Sequence, residues 1–278
     1  MSEPRRKRRV PRVGAFFDMD KTLISENSGS LYMKYRYERG EVDGWDLAKG
    51  LYAYLRYKAG ILDIRSFTQA AMLEFRGQSE RRLLREAREF VEKMVIPTIY
   101  PAAVERIRWH QAQGHVVAIV SGATKFVVRP LAEHLGVRHY LYTRLEVEHG
   151  RFTGRVIDPI CFEQGKIYWL QQLVDEKGID LAKSWFYTDS ITDLPLLELV
   201  GHPVAVNPDP FLYRVARRRR WPVELFEPPA RPRPPEPPRP RESAETSAEP
   251  SDAPPAAGEP TRAASSPSPR TPPSAEPR

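Results

Sequence analysis

Four short apolar runs that alternate with helical stretches limit the possible folds of this chain more than its other features do. The runs cover residues 13–20, 115–122, 184–190 and 203–207. Strands separated by helices pair in parallel, because each crossover helix returns the chain to the same end of the sheet and covers one face. The sequence therefore predicts an α/β fold with a doubly wound parallel sheet.

The stretch between the first two runs contains no strand-like segment, and its apolar residues recur at helical spacing. These residues form three groups: Leu47, Leu51, Tyr54 and Leu55; Phe67, Ala70, Ala71 and Leu73; and Leu83, Leu84, Ala87, Val91 and Met94. We expect residues 26–97 to form a helical insertion that covers one edge of the sheet.

After the second run, the pattern changes from helix to hairpin and back to helix. Residues 125–135 have helical spacing, whereas residues 142–148 and 151–157 alternate on either side of a His-Gly turn, which is typical of a β-hairpin. A further helix is expected over residues 163–175.

Proline is concentrated at the carboxyl end of the chain. From Pro222 onward lie 18 of the 28 prolines, and no aromatic residue follows Phe226. A segment of this composition buries too little apolar surface to offset the entropy lost on ordering. We expect residues 228–278 to form a disordered linker or solubilising tail, and its P-x-x-P motifs could alternatively dock a protein partner.

The formal net charge of +7 is concentrated in two basic runs, one between Arg5 and Arg9 and one between Arg217 and Arg220. Residues 1–12 are expected to form a disordered, solvated basic arm, and weak contact with nucleic acid or an anionic surface through Arg5–Arg9 is the alternative. No apolar segment approaches the length of a membrane span, so the sequence favours a cytoplasmic protein.

Polar side chains follow the apolar runs where each predicted strand ends. Asp18 and Asp20 follow the first run, Ser121 and Gly122 end the second, and Asp189 ends the third. The carboxyl ends of parallel strands lie at one edge of the sheet, where α/β proteins bind ligands. Converging carboxylates attract a hard divalent cation, which in turn attracts phosphate. This edge is therefore the predicted active site.

The residues at these strand ends form recognisable motifs. They read FFDMDKTL at residues 16–23, VSG at residues 120–122 and YTDSITDLP at residues 187–195, and Lys166 lies between the second and the last of them, in the helix expected over residues 163–175. With these motifs the sequence resembles the haloacid dehalogenase superfamily of phosphatases, and most of all its subfamily IB, which includes phosphoserine-phosphatase-like enzymes. The resemblance covers about residues 11–226.

The resemblance implies a Rossmann-like core of residues 13–25 and 98–227, with the cap of residues 26–97 inserted after the first strand. It also implies a Mg²⁺-dependent phosphatase that hydrolyses a small phosphorylated metabolite through an aspartyl-phosphate. In this interpretation Asp18 is the nucleophile and Asp20 is the general acid and base. Asp18, the backbone carbonyl of Asp20 and Asp189 would bind the metal, and Asp193 would support them.

The other implied site residues bind the phosphate and the leaving group. Ser121 and the Gly122 amide would hold a phosphate oxygen, and Lys166 would balance the charge of the nucleophile and the phosphoryl group.

Three cap residues are candidates for substrate binding. Asn27 stands where phosphoserine phosphatases carry a glutamate, while Arg65 and Arg76 offer positive charge to a carboxylate or a second phosphate.

Two alternatives stay open at this stage. Asp189 and Asp193 could instead cap the helix expected near Leu194, as acidic residues often do. A second hypothesis for the whole protein is an adaptor with little or no catalysis, which binds nucleic acid, anionic lipid or a protein through its basic arm and proline-rich tail.

Overall fold

The computed structural model describes residues 11–45, 48–49, 52, 56 and 63–230. The basic run between Arg5 and Arg9, most of the first predicted cap helix and residues 231–278 of the predicted tail lie outside these residues. No helix in the described part of the chain is long and apolar enough to cross a membrane.

A seven-stranded sheet forms the centre of the described structure, in the order β4-β3-β2-β1-β5-β6-β7. Its strands are β1 Gly14–Phe17, β2 Val116–Thr124, β3 His139–Glu148, β4 Arg151–Ile157, β5 Trp185–Thr188, β6 His202–Val206 and β7 Val223–Glu224. All neighbours pair in parallel except β3 and β4, which form the predicted hairpin. This confirms the predicted α/β class and parallel sheet.

Helices cover both faces of the sheet. They are α1 Ser28–Glu38, α2 Ile64–Leu73, α3 Glu80–Phe90, α4 Pro101–Ala112, α5 Lys125–His134, α6 Gln164–Lys177, α7 Leu194–Leu197 and α8 Pro210–Arg219. One apolar cluster joins Phe17 on β1 to α4 and α5, while another joins Phe16 to α6, α7 and α8. Successive residues of β1 thus enter opposite layers, as the strand period requires.

Helices α1, α2 and α3 lie between β1 and β2 in the chain, where the insertion was predicted. Helix α2 is attached to the edge strand β4, since the Gln69 side chain donates to the carbonyl of Gly154 (2.6 Å) and accepts from the amide of Val156 (3.2 Å). Helix α3 contributes Leu83 to a small apolar cluster with Phe126 of α5. Helix α2 is therefore bonded to the β3–β4 hairpin, and helix α3 is packed on α5.

The structure differs from the sequence prediction mainly at β3. The hairpin segment begins at His139, earlier than residue 142, and its first residues pair in parallel with β2. Most residues of β3 are half-buried, and a half-buried strand does not need the continuous apolar run that identified the other parallel strands. One strand therefore belongs to both the parallel core and the antiparallel hairpin.

Candidate active site

The nucleophile candidate, Asp18, lies immediately after β1. Phe17 pairs with Ile119 of β2 and with Tyr187 of β5, and the Asp18 amide donates to the Tyr187 carbonyl (2.9 Å). The register places the strand ends that carry Ser121 and Asp189 beside this position. Asp18 is only 7% exposed, because β1 is the central strand and is buried along its whole length.

Lys166 reaches this edge from the first turn of α6 and is 3% exposed. Its ammonium group lies 2.6 Å from Asp18 Oδ1 and 2.7 Å from Asp193 Oδ2. The preceding residue is necessarily glycine, because a Cβ at Gly165 would overlap the carbonyl oxygen of Ile160. This close approach brings the start of α6 near enough for the lysine to bridge the two acids.

Asp193 belongs to this buried network and does not use its side chain as a helix cap. Its Oδ2 accepts from the Thr188 hydroxyl (2.6 Å) as well as from Lys166, whereas its side chain makes no capping bond to α7. Ser190 caps the short 3-10 helix there by accepting from the Thr192 amide. The capping interpretation is therefore wrong for Asp193. Its other oxygen, Oδ1, is buried without a hydrogen-bond partner among the described residues.

The site holds more acid than base. Burial raises the pKa of Asp18 to about 8, although Lys166 opposes the shift. Burial and the nearby Asp193 carboxylate raise the pKa of Asp189 to about 7. Burial lowers the pKa of Lys166, but attraction to its two carboxylate partners outweighs it and the net shift is upward. Three acids around one ammonium leave an excess of negative charge that a bound cation would offset.

Asp20, the candidate general acid, is held by the start of the cap. Its Oδ1 accepts from the Ser28 amide (2.9 Å), and its Oδ2 accepts from the Ser28 hydroxyl (3.1 Å) and the Asn27 side-chain amide (3.2 Å). Burial raises the pKa of Asp20 to about 6, while the two bonds from Ser28 lower it. Its orientation therefore depends on residues at the beginning of α1.

The structure uses the three substrate candidates differently. Asn27 is engaged at both ends, since its amide donates to Asp20 and its oxygen caps α1 through the Ser30 amide. Arg65 forms an exposed two-bond pair with Asp158, just after β4. Arg76 is exposed. Among the contacts of the described residues, Asn27 alone of the three bonds one of the candidate catalytic acids.

Buried hydroxyl groups complete the network, and the motifs did not single them out. Thr188 bonds Asp193, Ser28 bonds Asp20, and Thr143 of β3 donates to the carbonyl of Gly122 (2.7 Å). A threonine in a strand or a serine at a helix start is common for reasons of propensity and capping. Thr188 directly precedes Asp189 in the sequence, which was an available signal. The position of Thr143 beside Gly122 becomes visible only when the strand order is known.

A metal ion at this edge would need ligands from the backbone as well as from side chains. Within the described ranges, no three histidine, cysteine or acidic side chains lie in a metal-binding group. Asp18 and Asp189 follow adjacent strands, and Asp20 lies two residues after Asp18 in the chain. Oxygen donors of this kind suit Mg²⁺, which keeps several waters and takes few protein ligands.

Comparisons with known proteins identify the family to which this chain belongs. The family model for haloacid dehalogenase-like hydrolases matches residues 15–198. A histidinol-phosphatase of Neisseria meningitidis is 35% identical over 77% of this chain and 98% of its own. A phosphoserine phosphatase of Mycobacterium tuberculosis is 29% identical over 77% of this chain and 71% of its own.

Solved structures show the same fold. A protein of unknown function from Bordetella pertussis superposes with a TM-score of 0.71 and 31% identity, covering 77% of this chain and 99% of its own. The structure of a phospho-aspartyl intermediate analogue of phosphoserine phosphatase superposes with a TM-score of 0.57 and 22% identity, over 79% of this chain and 95% of its own. The family and fold predicted from the motifs are therefore confirmed: this chain belongs to the haloacid dehalogenase-like hydrolases.

Proposed function

We propose that this protein is a Mg²⁺-dependent phosphatase that hydrolyses a small phosphate monoester, with Asp18 as nucleophile and Asp20 as general acid and base. The observation that carries the proposal is the buried Lys166 bridge between Asp18 and Asp193. A lysine removed from water and set between two acids fixes the attacking carboxylate and supplies positive charge where the phosphoryl group would bind.

The residues divide the reaction into two displacements. Asp18 attacks phosphorus to give an aspartyl-phosphate while Asp20 donates a proton to the departing alkoxide; Asp20 then takes a proton from the water that cleaves the acyl phosphate. Lys166 favours the ionised form of Asp18 and offsets the charge on the phosphoryl oxygens. The Ser121 hydroxyl and the Gly122 amide hold one of those oxygens.

The donor set suits Mg²⁺. Asp18, the Asp20 carbonyl and Asp189 would hold it, and the unpartnered Oδ1 of Asp193 is a buried acceptor able to bond a water in its shell. The ion would supply further positive charge to the phosphoryl oxygens during transfer.

The proposal is tested with the purified full chain, Mg²⁺ and a panel of phosphate esters. The names of the relatives place histidinol phosphate and phosphoserine first, followed by sugar, nucleotide and glycerol phosphates. We expect turnover that stops when EDTA removes the metal and returns when Mg²⁺ is restored. Unchanged turnover in EDTA would contradict the metal assignment, and no turnover of any ester with Mg²⁺ would contradict the phosphatase proposal. The adaptor alternative receives no support from the comparisons.

We predict that Ser28→Ala selectively impairs the hydrolysis of esters with poor leaving groups. The variant removes one of three bonds that orient Asp20, so kcat/KM for an alkyl phosphate should fall about tenfold, which is only part of the roughly 10²–10⁴-fold that general acid–base catalysis contributes. With p-nitrophenyl phosphate the change should stay below about twofold, because nitrophenolate departs without a proton.

The matched control is Ser30→Ala, which removes an exposed hydroxyl from the same helix turn and should leave both substrates unaffected. An equal loss on both esters with Ser28→Ala would show that Ser28 acts on the site in general and not through the acid.

A further inference from the structure

The phosphate-binding residues lie in a bulge of strand β2. Val120 pairs with Leu141, and the next pair joins Thr124 to Thr143. Between these pairs β2 contains three residues, 121–123, whereas β3 contains only residue 142. Extra residues in a bulge lose their partners in the hydrogen-bond ladder, so the backbone groups of Ser121 and Gly122 need bonds from elsewhere.

Thr143 supplies one of those bonds from the straight strand. Its hydroxyl donates to the Gly122 carbonyl (2.7 Å) and accepts from the Cys161 amide (3.2 Å). The side chain is buried, with Thr143 only 1% exposed. One hydroxyl thus substitutes for the missing ladder donor and also joins the bulge to the loop that precedes α6.

The bond to Gly122 fixes more than one carbonyl. In a trans peptide the carbonyl and the following amide point in opposite directions, so holding the Gly122 oxygen also sets the direction of the Ala123 N–H. That amide donates to Ser121 Oγ (3.1 Å). With a lone pair of Ser121 occupied in this way, its hydroxyl proton is left to be donated to a phosphate oxygen.

The bond from the Cys161 amide also connects Thr143 to the loop that leads to Lys166. Cys161 lies in the loop between β4 and α6, five residues before Lys166. We propose that Thr143 is a positioning residue that holds the Ser121–Gly122 bulge and the loop leading to Lys166 in one arrangement, and so sets the affinity of the site for the phosphoryl group. This inference rests on the proposed function, because the bulge is the phosphate-binding part of that site.

The test compares Thr143→Val, which keeps the shape but removes the hydroxyl, with Thr143→Ser, which keeps the hydroxyl. Binding of inorganic phosphate is measured by calorimetry with Mg²⁺ present, together with KM and kcat for p-nitrophenyl phosphate. For Thr143→Val we expect the phosphate Kd and the KM to rise in parallel by about tenfold, the factor that corresponds to one lost interaction of about 1.4 kcal/mol. Thr143→Ser should remain within about threefold of the unmodified protein on the same scale.

The matched control is Thr153→Val, which removes a hydroxyl bonded to Glu146 on the same hairpin and should leave phosphate binding unchanged. If Thr143→Val does not fold, Thr143→Ala provides the same measurement with a smaller side chain. An unchanged phosphate Kd in a folded Thr143 variant would overturn the inference and leave the hydroxyl with a purely structural role. Failure of the unmodified protein to bind phosphate would instead refute the proposed function.

Discussion

Replacement of Asp18 by Asn is expected to reduce kcat to the background rate, a loss of at least about 10⁴-fold, as found when a covalent nucleophile is removed from an enzyme. The amide cannot form an aspartyl-phosphate, while its size and its position after β1 are unchanged. Turnover is measured with the best ester of the panel. Acid quenching is used to detect phosphorylated protein, which should be absent from the variant.

The stability of the same variant separates chemistry from folding. Without metal, the Asp18 pKa is raised to about 8 in the folded state, above its ordinary value of 3.8. The carboxyl therefore favours folding when protonated, and this contribution is lost as the pH rises through about 8. At neutral pH the buried carboxyl favours its uncharged form, and Asp18→Asn replaces it by an uncharged amide of the same size. The unfolding midpoint should therefore not fall.

Asp175→Asn on α6 provides the control, because it removes an exposed carboxylate that accepts a surface bond from Gln171. It should retain full activity. Turnover by Asp18→Asn above the background rate would show that another residue attacks phosphorus.

Lys166→Met is expected to have the second largest effect, and it should change both activity and stability. Loss of a charge that faces the phosphoryl group should lower kcat/KM by about 10²–10³-fold. Removal of one partner from a buried charge network also leaves the other charges uncompensated, which costs about 3–5 kcal/mol. Both effects follow from the distances of 2.6 and 2.7 Å that join Lys166 to Asp18 and Asp193.

The stability loss of Lys166→Met should depend on pH in a definite direction. Without the ammonium group, the pKa of Asp18 rises further in the folded state, because the lysine is what lowers it. Below about pH 8 Asp18 keeps its proton in both folded proteins, so the deficit should be smaller at about pH 6 than at about pH 9 and should grow as the pH rises through about 8. Urea denaturation of both proteins at the two pH values measures the difference.

The control for this variant is Lys93→Met, which breaks an exposed pair with Glu89 and should change the free energy of unfolding by less than about 1 kcal/mol. Equal losses for the two variants, or a Lys166→Met deficit independent of pH, would contradict the view that the buried bridge organises the acids.

The sequence predicted that most of the candidate site residues meet at one edge of the sheet, because its motifs coincide with strand ends. Asp18, Ser121 and Asp189 each follow a strongly apolar run, and the strand period and the parallel order place such residues at one edge without knowledge of side-chain contacts. The prediction was weaker where local patterns are ambiguous. The half-buried residues of β3 indicated only a hairpin, so the parallel pairing of its first residues with β2 was missed.

The roles of individual polar side chains required the folded structure. Asp193 directly precedes a helix, as a capping acid does. Only its bonds from Lys166 and Thr188 show that it belongs to the buried network. Asn27 was a candidate for substrate binding, yet in the fold its amide bonds Asp20. Arg65 likewise finds Asp158 on the hairpin.

The sequence alone thus determined the α/β class, the family and the acids at the strand ends, because these depend on local period and short motifs. The tertiary structure alone decided which hydroxyl, amide and ammonium groups hold those acids and the bulge of β2. The physical reason is distance along the chain: Lys166 and Asp18 are separated by 148 residues, and Thr143 and Gly122 by 21. A hydrogen bond between such residues exists only after the strands have paired, so no local sequence pattern records it.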